Sequence, residues 1–335
     1  VRRSLLEEGL SLKAVQLILS CHKKNTISNY QSTWTKFLAF LDLEEIPHRD
    51  VLLCHVINFL ASEVQVFRRA YRTIASYKCA LQLPLLFHLK LDICVETTRR
   101  FLEGCYNDLP PSGDDRMPEW ELYDLLRYLC TAKFEPLSNV PFKQVAQKAL
   151  ALILLGTGRR LSEIAALSRL SSSREGRLWL EWIPTFRAKM DRASWQPAPP
   201  SILKVVGGGT KGMLLCPVRA YNEYISRRTS LTNRVNDDYL WMLKQESLAS
   251  SFKALVKDSR KSLGKDIIVP IFPHQSKKLA ISYSIFYFPA LKDKLPPLTG
   301  NKSMSVVNRI YTHAVPPLCL PVVLPLGTAN PDYVG

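Results

Sequence analysis

Two adjacent arginines carry the first chemical suggestion in this sequence. An apolar run, Lys148-Ala-Leu-Ala-Leu-Ile-Leu-Leu155, reaches Gly156-Thr157-Gly158. Arg159 and Arg160 follow, then Ser162-Glu163 and a second apolar pattern through Leu167. Glycine ends a helix readily and serine opens one, so the spacing predicts a helix that stops at the glycines and a new one with Ser162 as N-cap. Arginine stays charged and presents a rigid fork of donors, so a tight corner between two buried helices is costly for it unless an anion sits there. Two readings are open: an anion-binding corner, or a solvated helix start with Arg159 pointing into water.

A second concentration of cations, Arg68, Arg69, Arg72 and Lys78, is interleaved with the apolar positions of Phe67 to Leu83. One helix with a basic face would suit phosphate contacts, and the alternative is a solvated face. The whole chain tips the balance: 45 Lys+Arg against 29 Asp+Glu give a net charge of +16, which favours a polyanion, nucleic acid before membrane. No apolar run reaches membrane-spanning length without proline or charge. The eight cysteines form no CxxC pair and the six histidines show no metal-ligand spacing. Reduced thiols in a nuclear (alternatively cytoplasmic) protein are expected, with no metal and no cofactor.

The elements that must hold these groups are mainly helical. The 335 residues suit two domains, and the chain opens on Val1 as a fragment or a trimmed chain would. The fold class is mainly α with a small β-sheet (α+β). Residues 1–106 read as a helical bundle, with Tyr30, Trp34, Phe37, Leu38 and Leu41 on one face at helical spacing. Residues 107–118, rich in Pro, Gly, Ser and charge, read as a linker that forms no helix. Residues 119–315 form the second domain, with helices over Trp120–Leu129, Phe142–Leu155, Val218–Arg228, 246–263, from His274, and over Gly300–Tyr311. A strand is predicted at Leu178–Ile183, then strand, glycine turn and strand at Ile202–Val206, Gly207–Gly212 and Met213–Cys216. The tail, 316–335, is proline-rich and not helical.

Taken in order, four features resemble the tyrosine recombinase (phage-integrase) family. The block Thr157-Gly158-Arg159-Arg160-Leu161-Ser162-Glu163 is similar to its first catalytic box. A small sheet carrying a lysine follows, here roughly Trp179 to Cys216. Then come a His-x-x-Arg box, here His274-Gln-Ser-Lys277, and a box leading to a tyrosine, here Gly300 to Tyr311-Thr-His. Finer details resemble recombinases of DIRS-type retrotransposons: Phe134-Glu-Pro-Leu, Pro184-Thr-Phe-Arg-Ala-Lys189, Leu215-Cys-Pro-Val-Arg-Ala-Tyr with Tyr224 and Arg228-Thr229, and Lys277-Lys-Leu-Ala.

The resemblance implies a SAM-like core-binding domain followed by a catalytic domain, acting on double-stranded DNA as a homo-oligomer, a tetramer in the family. It implies strand cleavage through a 3′-phosphotyrosine, without a metal. Tyr311 takes the nucleophile's place, Arg160 that of the first arginine, Glu163 that of its acidic support, and His274 that of the second-box histidine. Arg159 fills a slot that is usually not catalytic. Three positions depart from the pattern. Lys277 stands for the second arginine and lacks its planar fork. Lys302, or Asn301 with a one-residue insertion, stands where the family has His or Trp. The hairpin lysine is open between Lys189, which is preferred, and Lys211, because the usual slot falls on Gly208. These departures leave two further readings: a degenerate, domesticated copy that binds DNA without cutting it, and a basic helical module unrelated to recombination.

Overall fold

A computed structural model describes residues 2–21, 24–109, 117–174, 177–188, 201–203, 209–231, 238–299, 301, 303–311, 315 and 324–325, with the backbone alone at 24–25, 201, 203, 209, 211, 291, 297, 306 and 309–311. The chain divides into two compact units, Val1–Asp114 and Asp115–Gly335.

The first unit is all helical among the described residues: α1 (Arg2–Glu7), α2 (Leu12–Leu19), α3 (Lys24–Leu43), α4 (Leu53–Gln65), α5 (Tyr71–Leu89) and α6 (Glu96–Asp108). Trp34, Phe37, Leu38 and Leu41 recur at helical spacing, so α3 turns one apolar stripe inward. Phe37 and Leu41 are buried with Phe59 and Leu60 of α4 and Ile74, Leu81 and Leu85 of α5, and the rings of Phe37 and Phe59 meet edge to face at 5.2 Å. Two expectations change here. Asn107 and Asp108 belong to α6 and not to the linker. The basic helix expected from Phe67 begins only at Tyr71, because Arg68 has a left-handed φ of +49° that no α-helix continues through.

The second unit is built around α8 (Phe142–Thr157), which follows α7 (Leu122–Leu129). Nearly every side chain of α8 from Val145 onward is buried, so it is apolar on all sides apart from Gln147, Lys148 and Thr157. Such a helix must be covered all round. The covering helices include α11 (Pro217–Leu231), α12 (Gln245–Ser262) and α13 (His274–Tyr287). Between α8 and α11 lie α9 (Leu161–Ala165), the strands β1 (Ser172–Arg174), β2 (Arg177–Trp179) and β3 (Ser201–Leu203), and α10 (Gly209–Leu214). The strands form one antiparallel sheet in the order β1-β2-β3, with Leu178 opposite both Ser173 and Ile202. After α13 come a 3-10 stretch (Pro289–Lys294), α14 (Leu295–Thr299) and α15 (Met304–Tyr311).

The sheet differs from expectation. β1 was not foreseen, β2 ends at Trp179, and the strand expected at Met213–Cys216 is replaced by α10 and the turn into α11. An apolar run that short does not separate helix from strand by periodicity. The last helix starts at Met304 and not at Gly300, and α14 precedes it. Pro217 opens α11 as its first residue. No described helix is long and apolar enough to cross a membrane.

Candidate active site

The corner after α8 is shaped by one glycine. Gly158 takes a left-handed φ of +55° and returns its N–H to the Leu154 carbonyl at 3.0 Å, ending the helix. The Thr157 hydroxyl oxygen accepts the Arg159 N–H at 3.2 Å and so steadies the turn, but α9 has no side-chain cap, where a serine cap was expected. Arg160, extended at φ −73°, ψ 149°, is the N-cap of α9; Ser162 lies inside the helix.

The two arginines therefore part company. Arg159 is buried, its side chain 1% exposed, with its guanidinium 5.4 Å from the Trp182 ring. Arg160 remains 27% exposed. They share one buried carboxylate: Arg160 Nη1 donates to Glu163 Oε1 at 3.0 Å and Arg159 Nη1 to Oε2 at 3.4 Å. Burial lowers the proton affinity of Arg159, and Glu163 opposes that shift. The α9 backbone is fixed by two indoles: Trp182 Nε1 donates to the Glu163 carbonyl at 3.1 Å and Trp241 Nε1 to the Ile164 carbonyl at 2.8 Å. One carboxylate against two guanidiniums leaves a net positive corner whose accessible part is Arg160. That is a suitable grip for a phosphate oxygen.

The second box reaches the same place through α13, which packs on α8. Lys277 is 2% exposed, and its Nζ donates to the Thr299 carbonyl at 2.5 Å. Burial drives its pKa well below the ordinary lysine value; Arg160 and Arg159 push it the same way, and Glu163 opposes them. His274, the first residue of α13, is exposed and stacks on Phe272 with ring centres 5.5 Å apart.

The third box closes on both. Thr299 ends α14; its methyl carbon lies 3.0 Å from where a Cβ on Gly158 would sit, as does Pro325 Cγ from the tail. Asn301, 2% exposed, donates from Nδ2 to Thr299 Oγ1 at 2.8 Å. α15 follows, anchored by Val307 against Ile281 of α13 and Leu295 of α14, and its final residue is Tyr311. The Tyr311 side chain lies outside the description. So do Lys302 and Lys189; Lys211 is in α10 and not on a hairpin, with its backbone alone described.

The basic residues of the first unit do not make one helix face. Arg68 and Arg69 precede α5, and Arg69 pairs with Glu63 at 3.5 Å. Arg72 is exposed in the first turn, while Lys78 donates to Cys94 Sγ at 2.7 Å and Gln82 Oε1 at 3.2 Å. Trp182 and Thr299 are the site residues that sequence reasoning missed. No local signal existed for Thr299, since the two prolines of Pro-Pro-Leu-Thr read as extended chain. None existed for Trp182 either. A cavity of 670 Å³ lies beside α9, lined by Ser162, Ala165, Phe186, Tyr239, Trp241 and Lys244. It includes neither Arg160 nor Lys277.

This arrangement of a helical unit, a second helical unit with one small sheet, and a cationic corner between α8 and α9 is the tyrosine-recombinase fold. The chain is similar to the Tn1549 transposon integrase in complex with transposon right end DNA (15% identity, TM-score 0.56, covering 88% of this chain and 91% of that one). It is also similar to a lambda integrase (75-356) dimer bound to a COC′ core site (14%, TM-score 0.53, 90% and 94%) and to the XerH site-specific recombinase bound to palindromic difH substrate (15%, TM-score 0.52, 87% and 76%). No family model and no curated protein matches the sequence.

Proposed function

We propose that this chain is a tyrosine recombinase, which cuts and rejoins double-stranded DNA through Tyr311, acting as a homo-oligomer. The phenol oxygen of Tyr311 attacks the scissile phosphorus. The P–O bond to the 5′-oxygen breaks, leaving a 3′-phosphotyrosine and a 5′-hydroxyl that takes its proton from a general acid, Lys189 or Lys211 in this reading. Arg160, held by Glu163, faces the phosphate and stabilises the charge that builds on its oxygens. His274, at the start of α13, accepts the proton that the Tyr311 phenol loses on attack. The observation that carries this reading is that the first two boxes meet the residue that leads into the third: Lys277 Nζ donates to the Thr299 carbonyl, and the Thr299 methyl lies against Gly158. The DNA-bound state of the three similar structures supports it, and the DIRS-like motifs suggest a retrotransposon origin.

The test uses nicked suicide duplexes from a randomised pool, whose short cleaved strand diffuses away and traps the covalent adduct. Wild-type protein should yield a denaturant-stable protein–DNA species, and Tyr311→Phe none. A second reading, a recombinase descendant that binds DNA without cutting it, is favoured by one observation: the Lys277 amine is engaged by a backbone carbonyl. Measurable duplex binding with no adduct from wild-type protein would establish that reading instead.

A further inference from the structure

We infer that Lys277 is a positioning residue that clamps the α14–α15 connection to the catalytic corner, and not a ligand of the phosphate. Its position in the sequence invites the other role, because a cation there would be expected to grip the substrate. The geometry gives the amine a different task. Thr299 is the last residue of α14, so its carbonyl has no partner within the helix and carries part of the negative end of the helix dipole. The Lys277 Nζ meets that carbonyl at 2.5 Å.

Thr299 is fully buried and joins α13, the corner at Gly158 and the segment that leads to α15. Its hydroxyl donates to the Leu295 carbonyl at 2.7 Å and accepts from Asn301 Nδ2 at 2.8 Å, and its methyl packs on Gly158. Removing the amine leaves a buried carbonyl without its donor at the point where the chain turns towards α15. The surroundings are also wrong for an anion grip. Among the described residues no ion pair is formed by Lys277, two guanidiniums lie in its field, and burial favours the neutral amine. A neutral amine still donates to a carbonyl but offers a phosphate little. Arg160 then supplies the anion contact, and Lys277 sets where the helix bearing Tyr311 begins.

The inference borrows the words phosphate and nucleophile from the recombinase reading, but the clamp stands without it. Its test has two arms on the full chain. Amide hydrogen exchange on Lys277→Met, without DNA, should accelerate residues 301–311 at least tenfold while α3 and the first half of α8 keep wild-type protection. Unchanged exchange at 301–311 overturns the clamp. In the second arm, suicide duplexes carry either a phosphate or an uncharged methylphosphonate at the scissile position. A lost phosphate ligand is compensated by neutralising the phosphate, so Arg160→Ala should regain adduct on the methylphosphonate at least tenfold. Lys277→Met should stay within twofold of its phosphate value. Recovery of Lys277→Met on the neutral backbone overturns the inference, and so does a several-fold gain in adduct from Lys277→Arg on ordinary DNA. If Lys277→Met does not fold, the adduct yield of Lys277→Arg on ordinary DNA decides: no gain supports the clamp, and a several-fold gain overturns it. If wild-type protein forms no adduct at all, the recombinase reading fails by itself and hydrogen exchange alone judges the clamp.

Discussion

Gly158 is the residue on which the site's shape depends most directly. Its φ of +55° is a conformation that costs an L-residue about 1–2 kcal/mol. A Cβ there would also meet Thr299 Cγ2 and Pro325 Cγ at 3.0 Å. Gly158→Ala should therefore lower the unfolding free energy of the second unit by about 2 kcal/mol, read as a fall in the urea midpoint with little change in slope. An unchanged midpoint would mean that the corner relaxes without cost. The neighbouring arginines show how much burial decides between identical side chains. Arg159 lies under Trp182, whereas Arg160 keeps its guanidinium accessible while leaning on the same carboxylate.

Among the elements, Glu135 serves architecture. Glu135, from Phe134-Glu-Pro-Leu, receives the fork of Arg219 in α11 at 2.8 and 2.7 Å and the amine of Lys148 in α8 at 2.5 Å. Lys148 is fully buried and also reaches the Leu129 carbonyl at the end of α7 at 2.7 Å. One carboxylate thus joins two helices directly and a third through Lys148. Glu135→Ala strands the buried Lys148 ammonium and should cost about 3 kcal/mol, whereas Lys148→Met leaves Glu135 with Arg219 and should cost about 1 kcal/mol. Denaturant unfolding of the two variants checks the order, and equal costs would refute it. The pH dependence has a definite sign. Burial alone would raise Glu135, but hydrogen bonds from Arg219 and Lys148 outweigh it and hold its pKa below the ordinary 4.5. Its contribution is therefore complete above that ordinary value and fades as pH falls through its lower folded value. The gap between wild type and Glu135→Ala should close in the same acid range.

For the molecule as a whole, the excess of 45 basic over 29 acidic residues makes salt the sharpest probe of the proposed DNA binding. Affinity for a duplex should fall steeply with salt. Arg72, exposed in the first turn of α5, should contribute a phosphate contact, so Arg72→Gln should reduce the log–log salt slope by about 1. Arg69 already pairs with Glu63, so Arg69→Gln should change the slope less. A slope unaffected by Arg72→Gln would exclude this part of the first unit from the contact surface. Four of the basic residues had looked like one helical face; the left-handed turn at Arg68 divides them between a loop and a helix.

The sequence by itself determined the helical class, the end of α8 at its glycine and the start of α11 at Pro217, because each rests on local chemistry: apolar period, backbone freedom at glycine, the fixed φ of proline. It also located the cationic corner, since two arginines between buried runs are conspicuous in one dimension. Only the tertiary structure decided which arginine stays accessible, that Thr299 receives Lys277, and that a short apolar run after the glycines becomes α10 and not a strand. Those outcomes depend on partners far away in the chain. Trp182 buries Arg159 from beyond β2, and Lys277 meets a carbonyl twenty-two residues on, contacts that no local propensity encodes.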